Sequence, residues 1–326
     1  MKASLRWTKR PSGQLGWLTR PLYNVRPNST CSATATTFPL EDSSRVLRHL
    51  EFTKRLPFEK GIRIQESFVR AQLDMKHLQS KIDRKLAQLQ TEHPGTTLNQ
   101  HEQWILKNIS EMKPHPMVLT FEFEPTYTGG KRSKKAVSPE DIARFENFVP
   151  QQRGDQQRPK FVQVERGGQV TFHGPGQVVA YLILDLKSFN NFPAKCLVSA
   201  IEDSTISALN KIPDGARNTN LGIAATKTAE TGVWINEQQK IASIGIHVRR
   251  SITSHGVCIN VEPDLSYMNN FVMCGLQDSR ATSIREQRPE SKCTTHDVAV
   301  RFVNELSKKL GIATVERIQL DDIKLD

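Results

Sequence analysis

The feature that most constrains the fold is a series of short β-rich segments, separated by glycine turns, between residues 160 and 262. In order, they read KFVQVE, VVAYLILDL, GVWIN, KIASIGIHV and GVCINVE. Two longer segments, PAKCLVSAIEDSTISALNKI and HDVAVRFVNELSKKLG, predict helices that interrupt and follow these strands. Many strands with only a few helices predict an α+β domain built on a mostly antiparallel sheet, and not a doubly wound parallel sheet.

The chain before these strands predicts a long helix and one further strand. Apolar residues recur at steps of three and four through residues 64–89, which indicates a single helix whose apolar stripe covers the core. MVLTFEF, residues 117–123, alternates and is rich in β-forming residues, as a strand is.

Two polar segments predict insertions at the surface, near residues 92–116 and 133–159. The first contains the turn signal Pro-Gly, and the second contains a short helix capped by Ser138. No convincing linker divides residues 45–326, so they are predicted to form one domain.

The amino terminus has the composition of a targeting segment. Residues 1–40 contain six Lys or Arg, ten Ser or Thr and no Asp or Glu. This pattern is typical of a mitochondrial transit peptide and predicts a mitochondrial matrix location; a disordered basic tail is the alternative. Without these six basic residues the net charge of +11 falls to +5, which argues only weakly for nucleic-acid binding.

Composition argues against a membrane-spanning protein and against a disulfide-rich secreted protein. Hydrophobic residues make up 37% of the chain, and its apolar runs are shorter than the roughly 20 residues that span a bilayer, so no membrane span is predicted. The five cysteines are too few, too scattered and odd in number for a disulfide framework, and they fit a reducing compartment.

The stretch ERGGQVTFHGPGQ, Glu165 to Gln177, is the densest glycine motif. It lacks the third glycine of G-x-G-x-x-G, and no G-x-x-x-x-G-K-[ST] occurs in the chain, so an ATP or dinucleotide cradle is poorly supported. Glycines also allow backbone to approach an uncharged ligand closely. A plain hairpin is the alternative.

Metal binding is not predicted. The chain has no C-x-x-C and no H-E-x-x-H. His255 and Cys258 are three residues apart, which on a regular strand places their side chains on opposite faces.

Cysteine is the most informative nucleophile. FVMCGL places Cys274 after an apolar run and before a glycine, and a nearby Lys or His could lower the pKa of such a thiol. The alternative is a small buried hydrophobe. Cys196 lies in an apolar helical run, Cys258 in a strand without motif context, and Cys293 in a polar stretch.

Three segments together resemble the lipoyl(octanoyl) transferases. They read RGGQVTFHGPGQVVAYLILDL, GVWINEQQKIASIGIHVRRSITSHGVCINVEPDL and MCGLQDSRATSI, and they match that family in order and spacing. The resemblance covers roughly residues 45–310. It implies a fold shared with lipoate and biotin protein ligases: an α/β (α+β) domain with a mixed, largely antiparallel sheet flanked by helices.

The resemblance also implies site residues. The acyl-accepting cysteine of the family falls on Cys274, and its partner lysine falls on Lys240. The implied substrate-binding residues are Arg166, Gly167, Gly168, Gln169, Val170, Thr171, Phe172, His173, Ser243, Ile244, Gly245, Gly256, Val257 and Cys258. The chain departs from the family pattern in three places. Met273 replaces the usual proline and Phe172 the usual tyrosine, and Phe123-Glu124-Pro125 stands before Tyr127-Thr128 where the family commonly has His-Pro-Pro.

The activity implied is octanoyl transfer without a cofactor. The donor would be octanoyl-acyl carrier protein, and the acceptors a lysine of the lipoyl domains of 2-oxoacid dehydrogenase complexes and of the glycine cleavage H protein. Cys274 would hold the octanoyl group as a thioester, so ATP would be unnecessary. The acceptor lysine has an ordinary pKa of about 10.4 and must lose a proton, which Lys240 is the candidate to take.

Two alternatives remain at this point. The first is an ATP-dependent lipoate ligase or lipoyl amidotransferase of the same superfamily, which would not need the cysteine. The second is a basic mitochondrial nucleic-acid-binding protein, which would need aromatic residues interleaved with a basic face. Aromatic residues make up only 7% of the chain.

Overall fold

The computed structural model describes residues 37–92, 98–150, 158–211, 213–214, 219–271 and 279–323. Within them the helices are α1 (Phe58–Glu92), α2 (Gln100–Glu111), α3 (Pro139–Glu146), α4 (Ala194–Lys211), α5 (Ser266–Asn269), α6 (Ile284–Gln287) and α7 (Thr295–Lys309). The first six strands are β1 (Val46–Phe52), β2 (Met117–Phe121), β3 (Thr126–Gly129), β4 (Lys160–Gln163), β5 (Val170–His173) and β6 (Gln177–Ile183). The remaining strands are β7 (Pro213–Asp214), β8 (Thr219–Asn220), β9 (Val233–Asn236), β10 (Gln239–Arg249), β11 (Ile252–Asn260), β12 (Arg280–Ala281) and β13 (Thr314–Leu320).

The main sheet has eight strands, in the order β12-β10-β11-β6-β2-β1-β13, with β9 also paired to β10. Its centre is antiparallel, from β10 through β11 and β6 to β2. Its margins are parallel, because β1 lies parallel to both β2 and β13, and β12 lies parallel to β10. The prediction of a mixed sheet flanked by helices is confirmed.

Helices cover both faces of this sheet. On one face α4 and α7 pack against each other and against the sheet, over a core that includes Leu182, Val257 and Phe302. On the other face α1 packs on β6 and β11, over a core that includes Val179 and Cys258. The two cores lie on opposite sides of the same strands because side chains alternate along a strand.

The long helix predicted over residues 64–89 is observed, but it covers the core only over its first half. Its buried residues end at Gln72, and further along Leu78 is 45% exposed and Leu89 is 38% exposed. The prediction that its whole apolar stripe covers the core is therefore wrong.

The insertions contain helices. The one near 92–116 includes α2, which begins at Gln100, shortly after the Pro-Gly turn signal. An Asn99–Glu102 capping box fixes that start. In the second insertion the predicted cap of α3 by Ser138 is confirmed, and Asp141 completes a capping box there.

A three-stranded sheet, ordered β4-β3-β5, stands beside the main sheet and carries the glycine motif. The motif leaves β4, passes through residues 164–169, continues along β5 and enters β6. Because β6 is in the centre of the main sheet, the motif joins the two sheets.

Close approach of β11 to β6 requires Gly256. A Cβ built there would lie well inside van der Waals contact of the Ala180 carbonyl oxygen. At Gly167, in contrast, the nearest atom to an added Cβ is the Ile246 carbonyl oxygen at 3.7 Å, which is ordinary contact.

We therefore predict that Gly256→Ala lowers the free energy of unfolding by about 2 kcal/mol or more, because backbone atoms must move apart. Gly167→Ala is the matched control and should change stability by less than about 1 kcal/mol. Urea denaturation of both variants measures the difference. Equal effects of the two substitutions would contradict the packing argument.

Candidate active site

A narrow buried cavity of about 30 Å³ lies on the α1 face of the main sheet, under the glycine motif. Its walls come from the start of α1, from β5, β6, β10 and β11, and from the segment before β5. The lining residues are Phe58, Arg166, Thr171, His173, Val179, Tyr181, Ser243, Ile244, Gly245, His255, Gly256, Val257 and Cys258. Three segments that are distant in sequence therefore meet at one place.

Nine of the fourteen residues predicted to bind substrate line this cavity. They are Arg166, Thr171, His173, Ser243, Ile244, Gly245, Gly256, Val257 and Cys258. The other five, Gly167, Gly168, Gln169, Val170 and Phe172, lie beside it without lining it. The ring of Phe172 instead stacks on Tyr267, with centroids 4.4 Å apart.

Arg166 organises the loop over the cavity. Its Nη1 donates hydrogen bonds to the carbonyl oxygens of Gly167 and Gln169, at 3.0 and 2.9 Å. Its Nη2 donates to the carbonyl oxygen and the hydroxyl of Thr128 on β3, at 2.9 and 2.7 Å. The glycines leave these carbonyls accessible to the planar guanidinium, which has several donors in a fixed geometry. Arg166 therefore ties the loop to the smaller sheet.

His255 lies on the same face as Cys258, contrary to the prediction from regular strand alternation. Its φ is +59°, in the left-handed region, which turns its side chain toward the cavity. The imidazole packs edge-on against Tyr181, with centroids 5.5 Å apart. Its backbone N–H donates to the Oε1 of Gln65 on α1 at 2.6 Å, so the helix holds this conformation.

Apart from Arg166, the polar groups of the cavity are uncharged. Burial, reinforced by the positive charge of Arg166, lowers the pKa of His255 to about 3 and that of His173 well below its usual range. Burial raises the pKa of the Tyr181 hydroxyl far above its usual value. Among the described residues neither the Tyr181 hydroxyl nor the His173 Nδ1 has a hydrogen-bond partner. Buried polar atoms without partners mark a place where a ligand or water is expected.

A chain of buried hydrogen bonds links the glycine motif to Lys240. Gln177 accepts from the backbone of Gly174 at 2.8 Å and donates to the side chain of Asn260 at 2.8 Å. Asn260 donates to the carbonyl of Thr282 at 2.8 Å. The N–H of Thr282 donates to the Lys240 carbonyl at 2.9 Å. Gln177, Asn260 and Thr282 were not among the predicted site residues, although Gln177 at the start of β6 and Asn260 at the end of β11 gave a weak signal.

Lys240 is almost fully buried at the start of β10, but it does not line the cavity. Its ammonium lies 4.8 Å from the ring centre of Trp234, a distance at which a cation is attracted to the aromatic face. Its positive charge also acts on the half-buried carboxyl of Glu202, whose pKa is raised mainly by desolvation. Cys274 lies outside the described residues, so the geometry of the predicted Cys–Lys pair is not described either.

The other cysteines that the structure describes are poor nucleophiles. Burial raises the pKa of the Cys258 thiol strongly, and burial raises that of Cys293 to about 12. Cys196 packs partly against the core on α4. Over the described ranges, no cluster of three or more His, Cys, Asp or Glu side chains could hold a metal ion. No described helix is long and apolar enough to cross a membrane.

Comparison with known proteins gives the family. Residues 97–307 match the family model described as the lipoyl protein ligase A/B catalytic domain. The chain is 61% identical over 305 residues to the mitochondrial octanoyltransferase of Kluyveromyces lactis, and the aligned region covers 92% of each chain. It is 58% identical over 293 residues to the mitochondrial octanoyltransferase of Saccharomyces cerevisiae, which covers 89% of each chain.

The similar solved structures are more distant in sequence. A crystal structure of lipoate-protein ligase A bound with ATP is 11% identical, with a TM-score of 0.46, over 63% of this chain and 76% of that one. The biotin protein ligase of Aquifex aeolicus is 18% identical, with a TM-score of 0.32, over 41% of this chain and 53% of that one.

The chain therefore belongs to the family of the lipoyl protein ligase A/B catalytic domain. It is an acyltransferase of the octanoyltransferase type, an enzyme of protein lipoylation, and a mitochondrial protein. The predicted family and activity are confirmed, and they are favoured over both the ATP-dependent ligase and the nucleic-acid-binding alternative.

The buried histidines predict a pH dependence of stability. The pKa of His49 is lowered to about 3 by burial, as is that of His255, and His173 is also shifted down. Below about pH 6.5 the unfolded chain binds protons that the folded chain does not. The free energy of unfolding should therefore fall with decreasing pH, by up to about 1.4 kcal/mol per pH unit for each histidine.

We predict that His255→Gln reduces the slope of the free energy of unfolding against pH, between pH 6.5 and 5, by up to about 1.4 kcal/mol per pH unit. His101→Gln, at an exposed position, is the control and should leave the slope unchanged. Urea denaturation at half-unit pH steps measures the slopes. An unchanged slope in His255→Gln would show that this imidazole is not buried in its neutral form.

Proposed function

We propose that this enzyme takes an octanoyl group from octanoyl-acyl carrier protein and transfers it to a specific lysine of lipoyl domains. The acceptors are the lipoyl domains of 2-oxoacid dehydrogenase complexes and the glycine cleavage H protein, in the mitochondrial matrix. The observation that carries the proposal is the convergence of the three pocket segments on one buried cavity. A relative in Danio rerio, 35% identical over 193 residues, is named octanoyl-[acyl-carrier-protein]:protein N-octanoyltransferase.

The cavity suits the acyl chain of that substrate. Its walls are side chains without net charge, apart from Arg166, whose Nη groups donate to carbonyl and hydroxyl oxygens of the protein. Neutral imidazoles and an apolar strand face are compatible with an aliphatic chain, whereas a phosphate would need free donors.

The chemistry consists of two acyl transfers through Cys274. Its thiolate attacks the carbonyl carbon of the carrier thioester, the leaving carrier thiolate takes a proton from the Lys240 ammonium, and octanoyl is held as a new thioester. The acceptor lysine, as the neutral amine, then attacks that carbonyl, forms the amide and releases the thiolate. Because a thioester is already activated, neither step requires ATP.

Lys240 serves this reaction in two ways. As an ammonium it stabilises the Cys274 thiolate, and as an amine it accepts the proton of the acceptor lysine. The position of Lys240 supports this double role. Lys240 is buried on the strand that carries Ser243 and Gly245, and its backbone carbonyl accepts a hydrogen bond from Thr282. Residues 45–326 form the catalytic domain in this proposal, with insertions near 92–116 and 133–159.

Cys274→Ser should abolish the acyl adduct, since a serine hydroxyl is a far weaker nucleophile without a strong base. Lys240→Arg should form the adduct slowly but fail in transfer to lysine, because arginine retains its proton. We expect at least a hundredfold loss of overall turnover in each case. The measurement is intact mass after incubation with octanoyl-acyl carrier protein, followed by addition of a lipoyl domain.

Cys258→Ser and Cys293→Ser are the matched controls, and both should retain a hydroxylamine-labile adduct. If Cys274→Ser kept an undiminished labile adduct, the assignment of the nucleophile would be wrong. If the native enzyme transferred octanoyl only with ATP present, the proposed reaction itself would be wrong.

For the amino-terminal segment, we propose that residues 1–40 contain a transit peptide. The protein purified from mitochondria should then begin between about residue 20 and residue 45. Amino-terminal sequencing of that protein identifies its first residue, and a sequence that starts at Met1 would reject the proposal.

A further inference from the structure

The side chain of Lys240 lies against the backbone of Gly232, just before β9. A Cβ built on Gly232 would lie well inside van der Waals contact of the Lys240 Cε, and 3.1 Å from its Nζ. The φ of Gly232 is +134°, a conformation that residues with a Cβ rarely adopt. Position 232 therefore requires glycine, and its backbone forms one wall of the space that holds the lysine ammonium.

Residues 226–234 form a closed segment that contains this wall. Thr226 and Trp234 exchange two backbone hydrogen bonds, at 2.7 and 3.0 Å. The indole Nε1 of Trp234 donates to the carbonyl of Glu230 at 3.1 Å, and the centre of the same ring lies 4.8 Å from the Lys240 ammonium. One segment thus supplies both an aromatic and a backbone contact of Lys240.

Helix α4 holds this segment through three side chains on one of its faces, Ser199, Glu202 and Asp203, which are spaced three and four residues apart. The Oε1 of Glu202 accepts a hydrogen bond from the N–H of Gly232 at 3.1 Å. Ser199 and Asp203 contact Lys227, and each has an oxygen 2.8 Å from its ammonium. Of these three side chains, Glu202 is therefore the one that holds the backbone in contact with Lys240.

The charges around Glu202 also connect it to Lys240. The positive charges of Lys227, 3.8 Å away, and of Lys240 both act on the Glu202 carboxylate, and the negative charge of Asp203 opposes them. A buried ammonium is costly unless an opposite charge and hydrogen-bond acceptors compensate it. As a carboxylate, Glu202 supplies an opposite charge to Lys240 and also fixes the backbone beside it.

We infer that Glu202 is a positioning residue, which fixes the ammonium of Lys240 through the backbone of Gly232 and balances its charge. The inference rests on the proposed function, because the position of Lys240 affects the rate only if this lysine transfers protons. A proton donor or acceptor must lie within hydrogen-bond distance of its partner, and a displacement of ~1 Å can lower a rate about a hundredfold. Glu202 was not among the predicted site residues.

The test is the transfer of octanoyl from the isolated octanoyl-enzyme to a lipoyl domain in a single turnover. Glu202→Ala removes the acceptor of the Gly232 N–H, so the segment can move away from Lys240. We expect the maximal rate constant to fall at least about tenfold. The lipoyl-domain concentration that gives half of the maximal rate should change less than about twofold, since Glu202 does not line the cavity.

Glu202→Gln separates the hydrogen bond from the charge. Its amide oxygen can still accept from Gly232, so the maximal rate constant should stay within about threefold of the native value at the optimal pH. Loss of the negative charge favours the neutral amine of Lys240. The limb of the profile on which the rate rises with pH should therefore move to lower pH, by about half a unit or more. Single turnovers between about pH 6 and pH 9 measure this shift.

Asp203→Ala is the matched control. Asp203 is the neighbouring carboxylate on the same face of α4, and its side chain pairs with Lys227 at 2.8 Å and with Lys309 at 3.6 Å. Its removal should leave the rate constant and the pH profile unchanged, and urea denaturation shows that each variant is folded. The inference would be overturned by a native rate constant in Glu202→Ala, by an equal loss in Asp203→Ala, or by an unshifted pH profile in Glu202→Gln.

Failure of this inference can be distinguished from failure of the proposed function. If the native enzyme transfers no octanoyl, the proposed function is wrong. If Lys240→Arg transfers octanoyl at the native rate, the role of Lys240 is wrong. If Lys240→Arg fails but Glu202→Ala is as fast as the native enzyme, only the role of Glu202 is wrong. Should Glu202→Ala fail to fold, it is replaced by Glu202→Met, which has a similar length but no oxygen to accept from Gly232.

Discussion

The hydrogen bonds of the Arg166 guanidinium are the interaction on which the site depends. A buried cation is costly unless its donors are satisfied, and here four acceptor contacts from two peptide segments satisfy them. The glycine loop consequently has one arrangement over the cavity. Burial in the first place, and the same charge in the second, lower the pKa of His173 and His255, so both imidazoles below the loop stay neutral. Arg166 thus shapes the loop and contributes to the electrostatics of the cavity.

Much of the fold could be predicted from the sequence, because the central strands and the two helices packed on them have strong apolar patterns. The outer strands could not. VLRHLEF of β1 places His49 and Glu51 in the interior, where they hydrogen-bond to other side chains, so hydrophobicity alone does not reveal the strand. The start of α2 was detectable from the Asn99–Glu102 spacing, which is a capping-box signature.

The candidate site was predicted in part, and the reasons are specific. The segments that line the cavity could be identified from the family motif. The motif does not, however, give the positions of their side chains in space. His255 was misplaced because a left-handed residue within a strand cannot be detected by counting alternation. Tyr181 lies in the run VVAYLILDL, where its ring cannot be distinguished from the apolar core around it. Gln65 did give a signal, as a polar residue next to the buried stripe of a helix, because such residues usually bind a backbone group.

The parallel pairing of β1 with β13 has a consequence for how the molecule is made. His49 on β1 accepts a hydrogen bond from Arg317 on β13, 268 residues later, and contacts the Thr120 hydroxyl on β2 at 2.8 Å. Contacts of such large sequence separation form late, because a long loop must close before they do. A chain that enters its compartment amino terminus first cannot complete this edge until its last strand has arrived. Until then one edge of β1 is unpaired, and an unpaired strand edge can pair with another chain and promote aggregation.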